Sequence, residues 1–322
     1  LNVALVGCGA FARLYHVPVL TTDPRVRLRA ICDPSADPGL RALAEAAGAR
    51  LTTSLREACA LADAVVISTP HALHAEHARA ALSEGRHVLL DKPFTLRSAD
   101  AAALTEMADA RGLVAAVAFN RRFDPGCRKA REAVAAGALG PVTLVETVQL
   151  GYPTSGWVDD PAWGGGGPFV GRGAHMADLV PWLTGLRPRR VRARLRPGPA
   201  GRVDRGGFID AAWDGLDWHA TCLTAGPSMW DEVRIYGERG LVELRRPLGQ
   251  PLGWALRHLG SGGEVVDTLR ADPAVGAATR DFLDALEGRG RPACPFAEAC
   301  LSVRLIEAAF ESAAQDGTWI AP

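Results

Sequence analysis

Short apolar runs alternate with Ala-rich amphipathic stretches through the first 120 residues. Val3 to Val6, Leu28 to Cys32, Ala64 to Ile67, Val88 to Leu90 and Leu113 to Phe119 have the length and unbroken apolar character of strands buried on both faces. Helical stretches separate them. Those from about His71 to Glu84 and Ser98 to Arg111 each end at a glycine, Gly85 and Gly112, where a left-handed cap belongs. Strand and helix in alternation predict a doubly wound parallel sheet. After Phe119 the pattern changes. One amphipathic helix spans 123–137, and then strands follow one another without intervening helices: Val142 to Leu150, Val191 to Leu195, Phe208 to Trp213, Trp218 to Thr224, Val233 to Tyr236 and Leu241 to Leu244. That order predicts a large, mostly antiparallel sheet. Helices near Ala277 to Leu286 and Phe296 to Ala314 close the chain, while Pro197 to Gly207 and Leu248 to Gly263 read as surface loops. The expected class is α/β, with a doubly wound domain over 1–120 and an α+β domain over 121–322.

Composition adds limits. The 322 residues suffice for two cores, at ~150 residues each. The 36 basic and 36 acidic residues cancel, which removes the usual drive toward nucleic acid or an anionic membrane. The Arg-dense segment Arg187 to Arg205 is interleaved with prolines and glycines and has no aromatic platform, so it reads as a solvated strand and loop. No apolar run approaches ~18 residues and no basic leader precedes the first strand, so a cytoplasmic protein is expected. Seven cysteines without a Cys-x-x-Cys pair fit reduced thiols better than a disulfide framework or zinc site, and the nearest pair, Cys294 and Cys300, is assigned to structure.

Candidate chemistry starts directly after the first strand. Gly7-Cys8-Gly9-Ala10-Phe11-Ala12 is a G-x-G-x-x-A turn entering a helix. Gly7 permits the tight turn, Gly9 lets backbone amides approach a pyrophosphate, and Ala12 allows close helix-to-strand packing. The second strand ends in Asp33, 21 residues past Ala12, where a carboxylate can accept hydrogen bonds from an adenosine ribose. Together they predict a dinucleotide site in a Rossmann domain. Asp33 repels a 2′-phosphate and Pro34 and Ser35 offer no arginine, so NAD is favoured over NADP, although Arg41 could still reach in.

A second signal is Lys92, which closes His87-Val88-Leu89-Leu90-Asp91-Lys92-Pro93 and is one of two lysines among 36 basic residues. A chain that writes nearly every cation as Arg keeps Lys where a compact ammonium that can share its proton is needed. A snorkelling lysine at a strand end is the alternative.

These motifs together resemble the Gfo/Idh/MocA oxidoreductase family, which includes inositol and sugar dehydrogenases and ketoreductases, and the likeness covers nearly the whole chain. Its carriers are Gly7 to Ala12, Ser68-Thr69-Pro70-His71 with His74, Ala80-Ala81-Leu82 leading to Gly85, Asp91-Lys92-Pro93, Asn120-Arg121-Arg122-Phe123, Gly164 to Gly167, and Gly173-Ala174-His175 with Asp178-Leu179 and Trp182-Leu183. The resemblance implies that Thr69, Pro70, His71, His74 and Asp91 line the cofactor site. It places Lys92 beside the nicotinamide, polarising the reacting oxygen by a hydrogen bond and favouring a developing alkoxide. It makes His175 the general acid/base and sets Asn120 against the substrate. It also implies a homo-oligomer, dimer or tetramer, built on the outer face of the second sheet.

Departures from the family pattern carry information. Asp91 shortens the usual Glu of Glu-Lys-Pro, and His71 replaces a more usual Asn. The family's Asp-x-Gly-x-His reads Gly171-Arg172-Gly173-Ala174-His175 here, so the imidazole lacks its customary carboxylate and no His-Asp relay comes from this segment. Arg172, if turned inward, favours an anionic substrate; arginines are more commonly solvated. His71, His74 and His77 step around a helix instead of holding one face, which argues against a metal site. Trp157 and Trp163, in the Pro/Gly-rich stretch Gly151 to Pro168, either cap a ring substrate, as Trp163 is taken to do, or pack between domains.

The expected activity is an NAD(P)-dependent interconversion of a secondary alcohol and a ketone on a sugar, cyclitol or related polyol. Rival readings are a ketone or imine reductase of a specialised pathway, a redox-neutral enzyme using tightly bound NAD, and a nucleotide-binding regulator.

Overall fold

The computed structural model describes the chain except for residues 36, 153–154, 214, 225–227, 247–253 and 271–273. Its contacts define two compact units: Leu1–Asn120 with Val275–Cys300, and Arg121–Ala274 with Leu301–Pro322.

The first unit holds six parallel strands, β1 (Asn2–Val6), β2 (Arg27–Cys32), β3 (Arg50–Thr52), β4 (Ala64–Ile67), β5 (His87–Leu90) and β6 (Ala115–Val117), in the order β3-β2-β1-β4-β5-β6. The order reverses between β1 and β4, the position at which such sheets open a ligand crevice beyond their carboxyl ends. The unit's early helices are α1 (Ala10–Tyr15), α2 (Val17–Thr22), α3 (Pro38–Ala46), α4 (Leu55–Ala60), α5 (His74–Ser83) and α6 (Ser98–Ala110). Local chemistry sets their starts. Asp37 caps α3 by accepting from Gly39 N–H, with Pro38 at the first helical position, and Ser54 caps α4 by accepting from Glu57 N–H.

The helix expected from His71 opens as a 3-10 turn, His71–Leu73, before α5. The strand expected over Leu113 to Phe119 narrows to β6, whose Val117 N–H turns to the Cys294 carbonyl at 2.9 Å. Val275–Cys300, which the run of strands assigns to the second domain, packs with the first unit. Its helix α10 (Ala277–Leu286) fully buries Phe282 and Leu283, and the Phe296 ring lies 4.2 Å from Phe94. Apolar burial, not sequence proximity, decides the assignment.

The second unit is an eight-stranded sheet: β7 (Val142–Leu150), β8 (Arg190–Leu195), β9 (Gly206–Trp213), β10 (Leu216–Leu223), β11 (Trp230–Gly237), β12 (Gly240–Arg245), β13 (Ala255–Gly260) and β14 (Val265–Arg270). The order is β14-β13-β12-β11-β7-β10-β9-β8, with β7 and β10 parallel and the other neighbours antiparallel. Helices α7 (Pro125–Ala135), α8 (Pro161–Gly164) and α9 (Ala174–Thr184) belong to it, and α11 (Phe296–Ala314) begins in the first unit and continues in the second. Val145, Val233, Ile235 and Val242 from the sheet share a core with Leu179 and Leu183 of α9 and Leu305 of α11. Trp218 is buried there with its indole N–H donated to Thr147 Oγ1 at 3.0 Å, so the polar atom is satisfied.

The loop expected from Leu248 to Gly263 includes β13, and its residues 248–253 lie outside the described residues. Lys129 of α7 pairs with Asp267 of β14 at 2.5 Å, both half exposed. All eight tryptophans of the chain fall in this unit. Among the described residues, no helix is long and apolar enough to cross a membrane, and no cluster of His, Cys, Asp or Glu could hold a metal ion.

Candidate active site

In the first unit the ends of β1, β2, β4 and β5 bring four predicted residues together. Gly7 follows β1 with φ +82°, and a Cβ there would strike the Ser68 carbonyl, reaching 2.7 Å from its carbon and 2.9 Å from Thr69 Cγ2. The glycine is therefore required by the neighbouring strand end as well as by the turn. Gly9 differs: its backbone is extended and nothing lies within 4 Å of an added Cβ. That open space is what close approach of a pyrophosphate needs. Ala10 is exposed, Phe11 stacks on Tyr15 at 4.4 Å, and Ala12 is fully buried against the sheet.

Asp33, at the end of β2, accepts from Cys8 N–H on Oδ2 and Ser35 N–H on Oδ1, each at 2.8 Å. The carboxylate is thereby fixed beside the Gly-rich turn. A cation that the sequence reading missed stands here. Arg13 donates to the Cys8 carbonyl at 3.0 Å and pairs with Asp37 at 2.5 Å. Its guanidinium is committed to that carboxylate, and Arg41 is exposed on α3. The residues present fit NAD, with acids at the expected ribose end and an unobstructed second glycine.

After β5 comes Asp91-Lys92-Pro93, with the Lys92-Pro93 peptide cis. Asp91 is buried; His16 Nε2 lies 3.0 Å from its Oδ1, and Ser68 Oγ donates to its Oδ2. His16 Nδ1 meets Thr279 Oγ1 at 2.8 Å, so the imidazole links the start of α2 to α10 and to β5. Burial raises the Asp91 carboxyl, but the charge and hydrogen bond of His16, with the Ser68 hydroxyl, hold it below its ordinary pKa. The sequence reading did not single out His16; a histidine opening the apolar run Val17 to Leu20 was the available signal.

His74 is wholly buried, with Nδ1 2.7 Å from the Pro93 carbonyl and Nε2 3.0 Å from the Thr69 carbonyl. It ties the turn after β4 to the segment carrying Lys92, and burial pushes its pKa down. Any effect on a cofactor passes through the backbone of Thr69 and Pro93. Pro70 precedes the 3-10 turn, and His71 packs edge-on to His74 at 5.8 Å. Asn120 ends the first of the unit's two segments and is half-buried.

In the second unit, His175 lies in the first turn of α9, half-buried, directly after a π-helical turn, Phe169–Gly173. Such turns redirect side chains at functional sites. Asp178, one turn on, is occupied by Arg122, whose Nε and Nη2 reach its oxygens at 2.6–3.2 Å. Arg172 is half-buried, not a solvated surface arginine: its Nη2 donates to the Leu223 carbonyl at 3.0 Å. Trp163, within α8, and Trp157, in the turn before it, are exposed, on a segment held by Asp159 through Arg205 at 3.0 Å. A further group emerged only in the structure: Asp231, wholly buried, with Gln149, Arg121 and Arg246 around it.

The profile described as "Oxidoreductase family, NAD-binding Rossmann fold" matches residues 1–119, and the GFO/IDH/MocA C-terminal domain matches residues 127–243. The chain is 30% identical over 308 residues to dTDP-3,4-didehydro-2,6-dideoxy-alpha-D-glucose 3-reductase of Streptomyces violaceoruber, covering 91% of this chain and 87% of that protein. It is 31% identical over 192 residues to D-glucoside 3-dehydrogenase of Escherichia coli (strain K12), covering 58% of this chain but only 54% of the relative. Among solved structures, GenD2 from gentamicin A biosynthesis, in complex with NAD, superposes with a TM-score of 0.86 at 32% identity, over 100% of this chain and 96% of that one.

Proposed function

The chain belongs to the Gfo/Idh/MocA oxidoreductase family, with its NAD-binding Rossmann fold, and from that premise we propose that it interconverts a secondary alcohol and a ketone on a sugar, cyclitol or related polyol with NAD(H). One observation carries the reading: Lys92 follows β5 at the strand ends where the Gly7 turn, Ser68 and Asp91 converge. Bound NAD supplies the hydride acceptor or donor. Asp33 accepts from the ribose hydroxyls, Gly7 to Ala12 receive the pyrophosphate, and the Thr69 to His74 and Asp91 to Lys92 segments line the nicotinamide end. The Lys92 ammonium donates to the substrate oxygen and stabilises the developing alkoxide. His175 takes the hydroxyl proton on oxidation and returns it on reduction. Asn120, Trp163 and Arg172 orient the substrate. Asp33 and Asp37, with Arg13 already paired, favour NAD over NADP.

Position 171 is glycine and Asp178 is engaged by Arg122, an arrangement that supports a second reading, a ketone or imine reductase that needs only one proton donor. The similarity to a 3-reductase points the same way. The test is NADH absorbance with NAD⁺ plus inositols, sugars and amino sugars, and in reverse with keto sugars, with Lys92→Met in parallel. The variant should bind NADH normally and lose turnover by about 10²–10⁴-fold. Turnover unchanged in Lys92→Met would remove the lysine from the chemistry, and failure to bind NAD(H) would overturn the reading.

A further inference from the structure

We infer that the second unit carries an anion-recognising rim, at the end of its sheet where β7 and β10 finish, that selects substrates bearing a phosphate or carboxylate group. The rim deepens the oxidoreductase reading proposed above and, as a substrate site, rests on it. Strand register assembles it. Leu150 pairs with Leu223 and with Trp230, Gln149 with Asp231, and Glu232 with Arg245, so the ends of β7, β10 and β12 and the start of β11 share one edge.

Asp231 sits there with 0% of its side chain exposed, and Arg121 and Arg246 are 10% and 14% exposed. Gln149 Nε2 donates to Oδ1 at 3.0 Å, Arg121 Nη2 lies 3.3 Å from the same oxygen, and Arg246 Nη2 lies 2.5 Å from Oδ2. Arg172 is the third guanidinium. It reaches the Leu223 carbonyl, its field helps hold the Asp231 carboxyl ionised, and its buried Nε meets no hydrogen-bond acceptor among the described residues. The seat for this guanidinium depends on Gly151, where a Cβ would come within 2.6 Å of Arg172 Cζ.

The charges do not cancel. Arg246 alone suffices to neutralise Asp231, and Arg121 and Arg172 are additional. Asp124, the other carboxylate in the field of Arg121, is committed to the backbone N–H groups of Gly126, Cys127 and Trp254. The described residues of the adjoining segments, 151–152, 155, 224, 228–229 and 246, include no Asp or Glu. A desolvated guanidinium excess is stabilised by an arriving anion, and the guanidinium fork matches phosphate and carboxylate oxygens. Arg172 stands one turn before His175, and Arg121 Nη1 lies 3.4 Å from Sδ of Met176, the residue after it. An anionic group held here anchors the substrate beside the helix that carries the proton-exchanging imidazole.

The test is calorimetric titration of the full chain saturated with NADH, so that the dinucleotide site is filled, using inorganic phosphate, D-glucose 6-phosphate, D-glucuronate and D-glucose. At least one anionic probe should bind tenfold or more tighter than glucose and weaken with added salt. The tighter of the phosphate and carboxylate arms identifies the group. Arg172→Gln should weaken that probe by about 10- to 100-fold. Arg172→Lys, which keeps the charge without the fork, should fall between and carries the test if the glutamine variant does not fold. Exposed Arg304→Gln should change nothing. Glucose binding as tightly as the anions, no anion bound at millimolar concentration, or indifference to both Arg172 variants would overturn the rim. Anion binding without NAD-linked turnover on any alcohol or ketone would overturn the oxidoreductase reading and leave the rim standing.

Discussion

Replacing Asp178 with asparagine sets the buried Arg122 guanidinium opposite a neutral amide. The two side chains are 4% and 2% exposed, and three contacts of 2.6–3.2 Å join them. Breaking one side of a desolvated ion pair costs about 3–5 kcal/mol, because the remaining charge cannot recover its hydration. Asparagine keeps one acceptor oxygen, so the expected loss is near the lower end, about 3 kcal/mol. At about 2–4 °C per kcal/mol for a unit of ordinary domain size, the melting midpoint should fall by about 6–12 °C. Tryptophan emission is the assay, since every tryptophan lies in the second unit and Trp182 stacks near Arg122 at 5.9 Å. The double variant Arg122→Met/Asp178→Leu should recover to within about 1 kcal/mol of the parent or better. A midpoint for Asp178→Asn within about 1 °C of the parent would mean that the pair is hydrated and that its burial stabilises nothing.

Two further outcomes concern the glycine turn and pH. Gly7→Ala combines a left-handed backbone with overlap on the Ser68 carbonyl, for about 2–4 kcal/mol; circular dichroism melting should show it, and NADH affinity should drop more than tenfold, whereas unaltered affinity would detach this turn from cofactor binding. Burial raises the Asp124 carboxyl to about 6 from 3.8. The folded state therefore holds that proton more tightly than the unfolded chain, and its contribution to stability declines as pH rises from about 4 to about 6. Two pKa units correspond to about 3 kcal/mol in full and to about 2 kcal/mol between pH 4.5 and 7, so urea unfolding should show the stability of the parent relative to Asp124→Asn falling by about 2 kcal/mol from the lower pH to the higher. A parent-minus-variant difference independent of pH would contradict that assignment.

The first unit was the more legible half. Its strands are short apolar runs, and the Gly7 turn with Asp33 declares its chemistry at fixed spacing. β3 escaped notice because three residues opening on Arg50 have no periodicity, and β13 because Ala255 to Gly260 mixes Arg and His into a segment bracketed by glycines. The packing of Phe282 and Phe296 with the first unit was invisible because sequence order carries no information about which sheet a distant apolar face will cover. In the candidate site, Lys92 and His175 were singled out through motif and resemblance, and their roles stand as proposals. Asp231 was not, since the acidic pair Asp231-Glu232 just ahead of Val233 resembles a solvated strand end. Its partners come from three separate segments, and only register brings Gln149 opposite it. The consecutive arginines Arg245 and Arg246, paired with opposite-facing Glu232 and Asp231, were the available hint.

The scarcity of lysine turns one residue into a spectroscopic handle. With Lys92 and Lys129 as the two lysines of the chain, reductive methylation with a ¹³C label yields two side-chain amine resonances. One reports the half-exposed pair with Asp267 and serves as an internal reference. The other reports the half-buried ammonium after β5. Its titration can be followed directly as NADH and trial substrates are added, so the protonation state of the proposed oxygen-polarising group becomes an observable in its own right.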